Sequence, residues 1–163
     1  MKSTTLILLT MKNLRYGKLA LMLAISFIIM YAVMFANVDE ADHVYLSITR
    51  FYMAILMVSP MAILMIAMMP DMYKNKLINR IITVLSLTVF IIALTLLRSQ
   101  AFIGDREYMK AMIPHHSSAI LTSKRANIKD LNVRKLADSI IISQQQEILR
   151  MKFLLDTLNG KFK

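Results

Sequence analysis

The chain has 163 residues, 57% hydrophobic and 18% charged, with a formal net charge of +10 and a mean hydropathy of +0.55. That balance excludes an ordinary water-soluble globule, and 3 Gly with 3 Pro leave too few punctuating residues for a turn-rich all-β protein. The lack of Cys removes disulfides, zinc–thiolate sites, iron–sulfur clusters and thiol catalysis.

The basic residues punctuate apolar runs instead of gathering on one polar face, so nucleic acid is not an expected partner. Residues 19–38, between Lys18 and Asp39, carry no formal charge, and at about 1.5 Å per residue they cover the roughly 30 Å of bilayer hydrocarbon. Residues 51–70 form a second such run, interrupted only by Pro60, which a membrane helix accommodates. The third, between Arg80 and Arg98, is shorter; Leu77 and Ile78 extend it to about 78–97, and both arginines can snorkel to the interface. A basic start before an apolar run also has the outline of a cleaved signal peptide. Its basic region would be unusually long, however, and no A-x-A site precedes Asp39.

Lys2, Lys12, Arg15 and Lys18 precede the first span and Lys74, Lys76 and Arg80 lie in the second loop, whereas the first loop, NVDEADHVYLS, has no Lys or Arg. The positive-inside rule then puts the N-terminus in the cytoplasm. The expected location is a bacterial inner (cell) membrane, crossed three times by residues 1–98, with residues 99–163 periplasmic or extracellular. Tyr16, Tyr45, Tyr52 and Tyr73 fall near the expected interfaces.

The tail reads as a helical hairpin, which makes the chain all-α. Gly104 is expected to break the third span and Asp105 to cap a helix running to about Ala126, with a kink or restart at Pro114. Asp130 is the expected cap of a second helix that stops at Asn159-Gly160. On the second helix Gln144, Glu147 and Met151 share the apolar face of Val133, Leu136, Ala137, Ile140, Ile141, Ile148 and Leu155, within about 80° of one line. On the first, Asp105, Met109, Met112, His116 and Ala119 face one way, with Tyr108 and His115 on the flank. Arg106, Glu107, Lys110, Ser117, Ser118, Lys124 and Arg125 face the other and are expected in solvent. A carboxylate on a buried stripe is costly unless something pairs with it.

Two readings follow. In one, Met112, His115, His116 and Met151, with Asp105, Gln144 and Glu147, converge on a metal ion; thioether plus imidazole without thiolate selects copper(I) or silver(I), and imidazole also accepts copper(II). In the other, Gln144 and Glu147 hydrogen-bond the histidines in a satisfied polar layer while the methionines only pack.

The stretch Asp105-Arg-Glu-Tyr-Met-Lys-Ala-Met112-Ile-Pro-His115-His116-Ser-Ser-Ala119-Ile120, followed by Ile140-Ile-Ile-Ser-Gln144-Gln-Gln-Glu147-Ile148-Leu-Arg-Met151, closely resembles the family catalogued as domain of unknown function 305, over about Asp105 to Leu158. The resemblance implies a ferritin-like extracytoplasmic domain, some of whose members bind copper or silver through Met and His and take part in metal tolerance. It implies Met112, His115, His116 and Met151 as soft ligands and Asp105, Gln144 and Glu147 as hard ligands or their supports, with Met109 on the same face. Thr122 stands where the family often has a further Met. A two-helix hairpin does not close a four-helix layer, so two tails are expected to associate as a homo-oligomer, or the hairpin to pack on another element such as the first loop. His43 in that loop is a further candidate ligand, against the commoner case of a solvated loop histidine.

Met53, Met57, Met61, Met65 and Met69 recur every four residues in the second span. Each step overshoots a full turn by about 40°, so the row winds around the helix instead of lining a path, and Met is also an ordinary packing residue. The leading expectation is a non-enzymatic, membrane-anchored protein that captures or buffers copper or silver. A structural or assembly subunit with a metal-free polar layer is the alternative. A carboxylate-bridged di-iron enzyme fits poorly, because Glu147 is followed three residues later by Arg150 and not by His.

Overall fold

The computed structural model describes the backbone of residues 2–160 and the side chains of residues 14–160. All regular elements among them are helical: α1 (Lys2–Val33), a single 3-10 turn (Ala41–His43), α2 (Ile48–Met68), α3 (Lys76–Ser99), α4 (Asp105–Arg125) and α5 (Leu131–Leu158). The chain forms two compact units, one of residues 1–32 and 51–99, the other of residues 33–50 and 100–163. The loop between the first two long helices thus belongs with the C-terminal hairpin, a grouping that a simple division after residue 98 does not make.

In the first unit three helices are long and apolar enough to cross a bilayer: Leu14–Val33, Ile48–Met68 and Lys76–Ser99. Small residues on α2 allow close approach: Ala54, Val58 and Ala62 recur every four residues and all are buried. Ser59, beside Pro60, turns its hydroxyl back to the Ile55 carbonyl at 2.6 Å, so its polar group is satisfied within the helix. Ile28, Leu64, Val84 and Ile91 are instead largely exposed, as suits a hydrocarbon solvent. Near one end, the Tyr16 ring lies 5.4 Å from that of Tyr73, and its hydroxyl donates to Asn79 Oδ1 at 2.8 Å. Asn75 Oδ1 accepts from Leu77 and Ile78 N–H at 3.0 and 3.1 Å, the pattern of a helix N-cap on α3.

The first apolar helix ends about five residues before the end of its charge-free run. Met34 and Phe35 already belong to the turn beyond α1, where the Arg50 guanidinium donates to the Met34 carbonyl and stacks 4.4 Å above the Phe35 ring. Absence of charge marks what a bilayer tolerates; these tertiary bonds decide where the backbone turns.

In the second unit α4 and α5 pack as a hairpin around Met109, Ile113, Ile120, Ile148 and Leu155, with Tyr45, Ile141 and Met151 against them. Asp130 caps α5 as expected, accepting from Asn132 and Val133 N–H at 2.8 and 2.9 Å, and the helix ends at Asn159 before Gly160, whose φ is 75°. The start of α4 differs from expectation. Gly104 is the cap residue and Asp105 makes no capping bond; with Glu107 it places negative charge in the first turn, favourable toward the helix dipole. The turn out of α3 is made not by glycine but by Gln100 and Phe102, both left-handed with φ of 51° and 61°. Pro114 causes no restart: α4 runs unbroken and the ring is buried.

Candidate metal centre

Three contacts set the register of the hairpin. Arg106 donates to the Leu158 carbonyl, His116 Nδ1 lies 2.9 Å from Glu147 Oε2, and Arg134 donates to the Ser123 carbonyl at 3.1 Å. In this antiparallel register Met112 and Met151 fall at matching positions one helical turn from His116 and Glu147. His115 sits beside this layer, exposed, its ring 6.0 Å from that of His116.

His116 is the most constrained member. Its side chain is 13% exposed, and Nδ1 is buried without a hydrogen bond, because the Glu147 oxygen is close but not aligned for one. Glu147 is held from its other oxygen by the Ser143 hydroxyl at 3.0 Å. Burial pushes the imidazole below its ordinary pKa; the Glu147 charge opposes that shift and His115 adds to it. A buried ring nitrogen without a hydrogen bond, facing a carboxylate, is a donor pair suited to a cation.

The remaining expected residues divide. Met109 is buried in the apolar core and Met151 packs against it, while Met112 and Gln144 are half-buried. Asp105 is exposed at the far end of α4, eleven residues from His116 and hence about 16 Å along the axis, too far to share one ion with it. Helical angle alone grouped it with His116; axial rise separates them.

The α4 face expected in solvent is only partly there: Arg106, Lys124 and Arg125 are exposed, but Glu107, Lys110 and Ser118 are half-buried. Ser117 is completely buried and its Oγ accepts from Asp39 N–H at 2.7 Å and lies 2.9 Å from His43 Nδ1. Asn37 Nδ2 donates to Ser118 Oγ at 2.9 Å, Lys124 pairs with Asp39 at 2.5 Å, and Ile48 N–H donates to Glu107 Oε2 at 3.3 Å. The first loop covers this face. His43, expected as a solvated loop histidine, is only 6% exposed. Two adjacent serines on a face otherwise filled by long charged side chains, opposite a loop without Lys or Arg, were the available signal. Lys152 also reaches this loop, pairing with Asp42 at 2.5 Å and holding its carboxyl below the usual range.

The family described as Domain of unknown function (DUF305) matches residues 90–159. Among curated proteins, Uncharacterized protein L153 of Acanthamoeba polyphaga mimivirus is 40% identical over 113 residues, 68% of this chain and 72% of that protein. The chain belongs to the DUF305 family. The DUF305 match begins inside α3, earlier than the Asp105 at which the motif starts, and the mimivirus likeness is longer than that match. No solved structure matches the chain.

Proposed function

We propose that this DUF305 protein is a membrane-anchored metal-binding protein that captures or buffers copper or silver on the extracytoplasmic side of a cell membrane. The observation that carries the reading is the pair His116 Nδ1 and Glu147 Oε2, 2.9 Å apart on facing helices, with the ring nitrogen buried and lacking a hydrogen bond. Met112 and Met151 stand one turn away in the hairpin register and His115 flanks the layer, supplying thioether and imidazole donors that prefer copper(I) or silver(I). Gln144, three residues before Glu147 on α5, would support the carboxylate layer in this reading. No catalytic step is required. The three apolar helices serve as anchor, and the absence of Lys and Arg from the first loop supports the orientation.

Ile142, Leu149 and Phe153 are 58–68% exposed along one side of α5, an apolar stripe that supports association of the hairpin with a second copy. The test of the metal reading is titration of metal-free full-length protein in detergent with copper(I) and silver(I). Sub-micromolar binding that His116→Ala weakens supports it; weak binding indifferent to that change refutes it. A metal-free polar layer is the second reading, favoured by the packing of Met109 and Met151 into the apolar core. It requires that silver leave the melting temperature unchanged, whereas a ligand of the folded state raises stability by mass action.

A further inference from the structure

The first loop holds a second group of donors, outside the DUF305 match. One ligand atom from each of Glu40, Asp42 and His43 lies within 4.8 Å of the others. The 3-10 turn Ala41–His43 brings the three side chains together, and the Ser117 contact fixes the ring against α4.

What distinguishes this group from an ordinary acidic loop is the second ring nitrogen of His43. The residue is more than nine-tenths buried, yet Nε2 lies 3.8 Å from Glu40 Oε2 and 3.7 Å from Asp42 Oδ1, beyond hydrogen-bonding distance of either. His43 lines a cavity of about 330 Å³ together with Asp39, Glu40, Asp42, Gln145 and Lys152 among others. The second nitrogen of a buried imidazole side chain thus looks at two carboxylate oxygens from beyond hydrogen-bonding distance. Cationic neighbours are already committed: Lys152 holds Asp42 Oδ2 and Lys124 holds Asp39, so Asp42 Oδ1 and the Glu40 carboxylate stay turned to the ring.

We propose that Glu40, Asp42 and His43 bind a divalent cation of borderline hardness, of which Zn2+ is the probe of choice, at a site separate from the His116 centre. One nitrogen and two carboxylate oxygens, with no sulfur, match that class and not copper(I) or silver(I). Ser117 completes the design. A ligating histidine donates its other ring N–H to an outer partner that sets tautomer and orientation, and Ser117 Oγ, 2.9 Å from Nδ1, has a lone pair for that N–H besides the one taken by Asp39 N–H. The carboxylate side chains are 59% and 66% exposed, which leaves the ion a route from solvent.

The test titrates metal-free full-length protein in detergent with Zn2+ against a chelating dye, and with silver(I) in parallel. Glu40→Gln and Asp42→Asn change exposed side chains and preserve the fold; each weakens Zn2+ binding at least as much as the 10- to 100-fold, on the order of magnitude, expected for loss of the outer partner in Ser117→Ala. His116→Ala leaves this Zn2+ binding intact, and Glu40→Gln leaves silver binding intact. No Zn2+ binding by the wild-type protein, which leaves His43 a plain hydrogen-bonded anchor, overturns the proposal. So does Zn2+ binding that survives Glu40→Gln and Asp42→Asn, or that disappears in His116→Ala.

Discussion

Ser117 on α4 and His43 in the first loop, 74 positions apart in the chain, meet through a buried contact of 2.9 Å between Oγ and Nδ1. The same hydroxyl accepts from the Asp39 backbone, so one short side chain anchors the loop to the hairpin twice.

Ser117→Ala strands a buried ring nitrogen and a backbone N–H together. A loss of about 1–3 kcal/mol is expected for an unsatisfied buried group, read as a lower denaturation midpoint of the protein in detergent. A midpoint within error of wild type means that water replaces the hydroxyl and that the anchor is not needed.

Ile113 and Ile148 are 0% and 2% exposed at the centre of the hairpin. Ile113→Ala or Ile148→Ala is expected to cost about 2–5 kcal/mol by transfer and cavity terms. Leu149→Ala, on the exposed side, should stay near wild type in a monomeric preparation, and a comparable loss there contradicts the assignment of faces.

Asp130 supplies two bonds to the open end of α5. Asp130→Ala is expected to cost about 1 kcal/mol and Asp130→Asn much less, since Asn caps as well as Asp. Equal losses in both point to charge, not the cap, as the source.

In metal-free protein the His116 imidazole should titrate below its ordinary value of 6.5, observed by NMR of the labelled ring. Glu147→Gln removes the charge that opposes the shift and lowers the midpoint further; His115→Ala raises it. Because the folded pKa is depressed, the unfolded chain binds more protons between the two values. The stability from keeping this ring neutral is therefore complete above about pH 6.5 and declines as pH falls through that value toward the folded midpoint. A His116 midpoint above 6.5 contradicts the burial described.

If the apolar stripe of α5 joins two copies, Leu149→Glu or Phe153→Glu converts the assembly to a monomer in light scattering while leaving the helical circular dichroism intact. A wild-type protein already monomeric at high concentration in detergent removes the basis for that association.

What was legible in the amino-acid order was whatever depends on local periodicity. Charge-free runs of membrane length marked the three apolar helices, the Asp130 cap and the Asn159-Gly160 stop bounded α5, and the spacing of His116 against Glu147 foretold that they meet. Asp105 shows where this reasoning runs out: angle around a helix says which side a residue is on, but only axial distance says whether it can share an ion. Ser117 and His43 show a second limit. Nothing in a helical wheel states that a loop more than seventy residues away will cover a polar face. That pairing rests on long-range hydrogen bonds between a buried hydroxyl, an imidazole and a backbone N–H, and it takes shape only when separated segments are brought into contact.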